Sequence, residues 1–246
     1  MTSEFLVVLL VISFAYLVKG AVGMGGPLLA IPFIASITSV EHAVVVMSFA
    51  NLVSNGWLLW EHRDGARGTG FVLIPFLTVG TVATIAGTWI LTEVDDLILS
   101  IIIALIILGY IWRFVANPEL GLEPRIARRT AAPMGLLGGG LLGATGTAGP
   151  LIATYLHSIR LGRSSFIFMM SVTFQVFGLI QVATLVFLGS FTEERTIQAL
   201  WAVVPVTLMT AIGIRIGRRM NQRAFEWAVL ALLGFAAVRL LLSALG

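Results

Sequence analysis

Cysteine is absent from this chain, which rules out a disulfide scaffold, a thiolate metal site and a dithiol redox motif. Charge is scarce as well. Asp, Glu, Lys and Arg make up 11% of the 246 residues, against roughly 25% in a soluble globular domain. So few charged side chains cannot clothe a water-facing surface. Histidine occurs only at positions 42, 62 and 157, all near the ends of apolar segments, so neither a metal cluster nor a cofactor is expected. No Asp or Glu falls in the middle of an apolar segment. That absence removes the buried carboxylate relay typical of proton pumps and antiporters, and leaves cation selectivity with little support.

What the chain does have is apolar length. Hydrophobic residues make up 58% of it and the mean hydropathy is +1.01, values that belong to a polytopic membrane protein. The basic balance (pI about 9.9) comes from arginines in short loops between apolar runs. That is the pattern of cytoplasmic loops, not of a nucleic-acid patch. The expected partner is the lipid bilayer, without nucleic acid; a homo-oligomer is compatible with the sequence. The apolar run 5–18 has no basic segment before it and no small-residue cleavage site after it, so it reads as part of the mature fold.

The chain repeats itself. At a shift of 123 residues, Gly20, Gly23, Gly26, Pro27, Leu28 and Ala30 fall on Gly143, Gly146, Gly149, Pro150, Leu151 and Ala153. At a shift of 130, Pro75 and Gly87 fall on Pro205 and Gly217. Apolar segments cover 4–19, 27–38, 42–60, 70–91 and 97–115, then 131–142, 150–157, 164–188, 196–214 and 224–245. The last three of each half can cross a ~30 Å core, which takes ~20 helical residues; the second of each half cannot. The expected organisation is a first membrane repeat at 1–116, a cytoplasmic linker at 117–130 and a second membrane repeat at 131–246.

Arginine placement chooses the topology. Four simple spans per half would divide the 15 Lys and Arg residues eight against seven across the membrane. A broken hairpin plus three spans per half puts twelve on one side, with Glu93, Asp95, Asp96, Glu193 and Glu194 opposite. The positive-inside rule favours the second. Three crossings is an odd number, so the expected fold is all-α with two inverted repeats, each a Gly/Pro-broken helical hairpin followed by three transmembrane helices. Both termini are then non-cytoplasmic, and the protein sits in the cell (inner or plasma) membrane.

The breaks are the candidate site. They read Lys19-Gly20-Ala21-Val22-Gly23-Met24-Gly25-Gly26-Pro27 and Gly143-Ala144-Thr145-Gly146-Thr147-Ala148-Gly149-Pro150. Irregular backbone at membrane depth is tolerated where it is buried in protein or lines a polar cavity. Helices starting at Pro27 and Pro150 would aim unpaired N–H groups and positive dipole ends into the shared space, which suits an anion. Lys19 is the only lysine; it either serves the site or snorkels to an interface. Asn51 and Gln175 add amide donors at mid-span, and Ser48 and Asn55 share a helix face with Asn51. The candidate substrate-binding residues are therefore Lys19, Gly20, Gly23, Met24, Gly25, Gly26, Asn51, Thr145, Gly146, Thr147, Ala148, Gly149 and Gln175. No nucleophile, base and orienting group can be assembled at mid-span, so an enzyme is disfavoured. A channel-like facilitator for another small anion or a neutral solute is the other transport reading.

The duplicated motif, Gly20-x-x-Gly23-x-Gly25-Gly26-Pro27-Leu28-Leu29 with Ile31-Pro32 and Gly143-x-x-Gly146-x-x-Gly149-Pro150-Leu151, resembles that of the sulfite exporter (TauE/SafE) family, also known as the toluenesulfonate uptake permease group. The resemblance covers nearly the whole chain. It implies export or uptake of small sulfur-containing anions, sulfite or sulfonates. The second motif departs from the family's usual glycine pair, reading Gly146-Thr147-Ala148-Gly149, with Thr145 and Thr147 offering hydroxyls in its place.

Overall fold

The computed structural model describes residues 3–22, 25–66, 69–116, 123–159, 162–217 and 238. Every regular element among them is helical: α1 (Ser3–Val22), α2 (Gly26–Ala35), α3 (Val40–Glu61), a 3-10 turn (Arg63–Ala66), α4 (Gly70–Glu93), α5 (Asp96–Ala116), α6 (Pro124–Thr145), α7 (Gly149–Ser158), α8 (Arg163–Phe187) and α9 (Glu193–Gly217). Of the expected last segment, 224–245, only residue 238 is described.

Four of these helices, α3, α4, α8 and α9, are long and apolar enough to cross a membrane. Leu10, Ile74, Val82, Trp112 and Phe187 all point outward, a surface suited to lipid and costly in water. The chain is an all-helical polytopic membrane protein.

Local chemistry sets the helix boundaries. Ser39 caps α3 by accepting the His42 amide at 3.1 Å, and Glu41 stands in the first turn, where the dipole favours it. α6 starts seven residues before the apolar segment expected there. Its first two turns carry Arg125, Arg128 and Arg129, which hydropathy discounts but helix propensity does not. Pro124 occupies the first turn, where its missing N–H costs nothing. The stretch read as linker is thus helical from Pro124 onward.

Two helix pairs repeat one contact. A Cβ on Gly213 of α9 would strike the Leu17 carbonyl and the Ala21 nitrogen of α1. A Cβ on Gly87 of α4 would strike the Gly140 carbonyl and the Ala144 nitrogen of α6. Leu17 and Gly140 stand 123 residues apart, as do Ala21 and Ala144, whereas Gly87 and Gly213 stand 126 apart. Contact therefore pairs Gly87 with Gly213, replacing the Gly87–Gly217 match at 130. Glycine at these positions lets the backbones touch, as in small-xxx-small packing.

The ends of the bundle differ. At one end, Asp96 at the start of α5 accepts the Val40 amide of α3 at 3.0 Å, and Arg195 of α9 pairs with Glu41 of α3 at 3.0 Å. At the other, the turn after α3 packs on the start of α8: a Cβ on Gly65 would collide with the Ser164–Ser165 backbone. α3 and α8 therefore run in opposite directions. α2 leads directly into the first end and α7 into the second. Each has 10 residues, or ~15 Å of helix, so each begins about halfway through a ~30 Å core.

Candidate functional site: two helix breaks around a buried lysine

The first break closes with Gly25 at φ +100°, immediately before α2. The second follows the end of α6, where Gly146 has φ +66° and returns its N–H to the Leu142 carbonyl at 2.7 Å. Both are left-handed conformations that L side chains resist. Thr145 closes the second turn: its hydroxyl lies 2.7 Å from the Leu141 carbonyl and 2.9 Å from that of Thr147, and accepts the Thr147 amide at 3.3 Å. Gln181 of α8 completes it, its Nε2 donating to the carbonyls of Leu142 (2.8 Å) and Gly143 (3.1 Å). The Gly143 carbonyl lies in the last turn of α6, where helix geometry leaves carbonyls unpaired, and the Leu142 carbonyl receives Gln181 in addition to the Gly146 N–H.

Lys19 lies on α1 just before the first break and is 1% exposed. Its ammonium therefore does not snorkel. Nζ donates to Asn51 Oδ1 at 2.7 Å, Ser54 Oγ at 2.9 Å and Asn55 Oδ1 at 2.6 Å, all on α3, and lies 5.2 Å from the centre of the Tyr16 ring. No carboxylate pairs with it among the described residues. Its stem explains one glycine: a Cβ on Gly26 would come within 2.9 Å of Lys19 Cδ and 3.2 Å of the Tyr16 ring.

A small cavity lies between the breaks. Gly25, Pro27 and Leu28 line it from the first, and Gly146, Thr147 and Gly149 from the second. Lys19, Asn51 and Phe174 complete the wall. The cavity volume is about 10 Å³, roughly the room one water needs. Asn51 and Phe174 each stand eleven residues into their helices, α3 and α8, ~16 Å along each. The first turns of α2 and α7 carry N–H groups that helix geometry leaves unpaired.

Of the expected site residues, Lys19, Gly25, Asn51, Gly146, Thr147 and Gly149 share this cavity. Gly20 does not: it is turned onto α9, where a Cβ would hit the Thr210 carbonyl. Gly26 sits behind Lys19. Thr145 spends its hydroxyl on the turn, and Ala148 packs in the apolar core beside Ile152. Gln175 faces α3 near Gly56, away from the cavity wall. Gly23 and Met24 lie outside the described residues. Sequence reasoning passed over Ser54, Tyr16, Phe174 and Gln181. The first could have been found at i+3 from Asn51; the others look like ordinary span residues until their neighbours are known.

The helices are those of a polytopic membrane protein with a buried lysine at its centre. A family model, the sulfite exporter TauE/SafE model, matches residues 8–240, and the chain belongs to that family. Membership makes it a membrane transporter of the sulfite and anion type. Comparison with curated proteins and with solved structures gave no match.

Proposed function

We propose that the chain is a secondary transporter of small sulfur-containing anions, of the sulfite or sulfonate kind, which bind between the two glycine breaks. One observation carries this reading: Lys19 is a buried lysine without a carboxylate partner among the described residues, at the wall of a cavity that both breaks line. An uncompensated buried charge is expensive, and a transported anion would supply its counter-charge. Asn51, Thr147 and the unpaired N–H groups of α2 and α7 complete the proposed cradle, with Gly25, Gly146 and Gly149 allowing close backbone approach.

The proposal includes inverted repeats at 1–116 and 131–246, joined through 117–130, that rock about the site in alternating access. The matching α1–α9 and α4–α6 contacts and the opposed courses of α2 and α7 support it. A cavity with room for about one water favours a carrier in a closed state over an open channel. The carrier is proposed to sit in the cell membrane with non-cytoplasmic termini, and to catalyse no covalent chemistry.

Flux into proteoliposomes of sulfite, arylsulfonates and a neutral solute tests this reading. Protein-dependent entry of the anions alone is expected. Entry of the neutral solute alone, or of nothing, rejects it. Full flux in Lys19→Ala and Asn51→Ala variants would relocate the site and leave the transport class standing.

A further inference from the structure

We infer that this site accepts singly charged anions and discriminates against doubly charged ones, an inference that rests on the transport reading above. The hydrogen-bond geometry sets the charge. The Ser54 hydroxyl gives its proton to the Asn51 carbonyl at 3.0 Å, so toward Lys19 it can only accept. The side-chain carbonyls of Asn51 and Asn55 can only accept too. Three acceptors at 2.6–2.9 Å require three N–H donors, which an ammonium has and a neutral amine lacks. The arrangement matches an ammonium, which gives Lys19 a single positive charge.

The helix ends do not raise that total. Each break sets the negative end of one helix, α1 or α6, beside the positive end of the next, α2 or α7, so the half-charges of the macrodipoles cancel. What survives is direction: N–H groups aimed inward. The described carboxylates lie at helix ends and loops, with the Glu41–Arg195 ion pair at the end of the bundle. A singly charged anion leaves the loaded site neutral. A doubly charged one leaves a net negative charge against Phe174, Leu28 and Pro27, which offer it no solvation.

Asn51 supplies a donor for the anion. With Oδ1 facing Lys19, the Nδ2 donor is turned away from it and makes no hydrogen bond among the described residues, on a side chain that lines the cavity.

The test is uptake of labelled sulfite into proteoliposomes at mildly acidic pH, where it is mostly bisulfite. Methanesulfonate and formate serve as singly charged competitors, sulfate and methanedisulfonate as doubly charged ones, at constant ionic strength. The singly charged set should compete at concentrations at least ~10-fold lower, a gap worth ~1.4 kcal/mol. Equal competition by sulfate overturns the inference and leaves the transport reading intact. No protein-dependent uptake overturns both. Asn51→Asp keeps an acceptor for Lys19 while cancelling its charge, so a variant that purifies monodisperse should lose flux by ~10-fold or more. Undiminished flux in that variant refutes the charge assignment.

Discussion

Lys19 Nζ and Asn55 Oδ1 lie 2.6 Å apart between α1 and α3, the shortest of three bonds that tie the end of a broken helix to a spanning one. Removing the charge should therefore cost binding and packing together. Lys19→Met is expected to lower sulfite flux by ~10- to 100-fold, the loss of one or more charge-assisted bonds worth about 1.5–3 kcal/mol each. Lys19→Arg should rescue poorly, because a planar guanidinium cannot meet three acceptors clustered about one point and Gly26 already crowds the stem. Initial-rate uptake of the two variants decides it; wild-type rates in the arginine variant would contradict this account.

The two left-handed glycines should respond unequally to alanine. A Cβ on Gly25 meets nothing within 4 Å among the described residues, so Gly25→Ala is expected to bear mainly the backbone cost, about 1–2 kcal/mol. On Gly146 it would come within 2.6 Å of Ile31 and 2.7 Å of Val44, adding overpacking of about 1–3 kcal/mol. Thermal unfolding in detergent should show the larger drop for Gly146→Ala. A reversed order would mean that the second turn relaxes more freely than its neighbours suggest.

Gln181→Leu leaves the Leu142 and Gly143 carbonyls without their amide. A destabilisation of about 1–3 kcal/mol is expected, chiefly from the Gly143 carbonyl, because that of Leu142 keeps the Gly146 N–H. Since Gln181 does not line the cavity, the apparent affinity for sulfite should move less than in Lys19→Met. A concentration series run beside the melting curve separates the two effects.

The natural absence of cysteine makes topology directly measurable. Single cysteines at Asp64, in the turn after α3, and at Asp95, before α5, should react with an impermeant maleimide from opposite sides of the membrane. A cysteine introduced at Ser3 should label together with Asp95→Cys. Labelling of the Ser3 variant with Asp64→Cys would reject the hairpin arrangement.

Composition and spacing sufficed for the class of fold, because a bilayer demands long apolar segments with few charges. Expected and observed helix limits differ by about three residues or fewer except at α6, where three arginines hid two helical turns. The breaks were legible too, since proline and glycine act through the local backbone, which a sequence displays directly. What a sequence does not display is the direction a glycine or an amide faces. Gly20 and Gly25 look alike in the motif, yet one packs on Thr210 and the other opens to the cavity. Only the meeting of α1 with α3 drew Lys19 inward to Asn51, Ser54 and Asn55. Only the meeting of the two breaks put Thr147 and Phe174 beside that charge, because contacts across 100 residues and more depend on how helices pack against one another, not on the order of residues within any one of them.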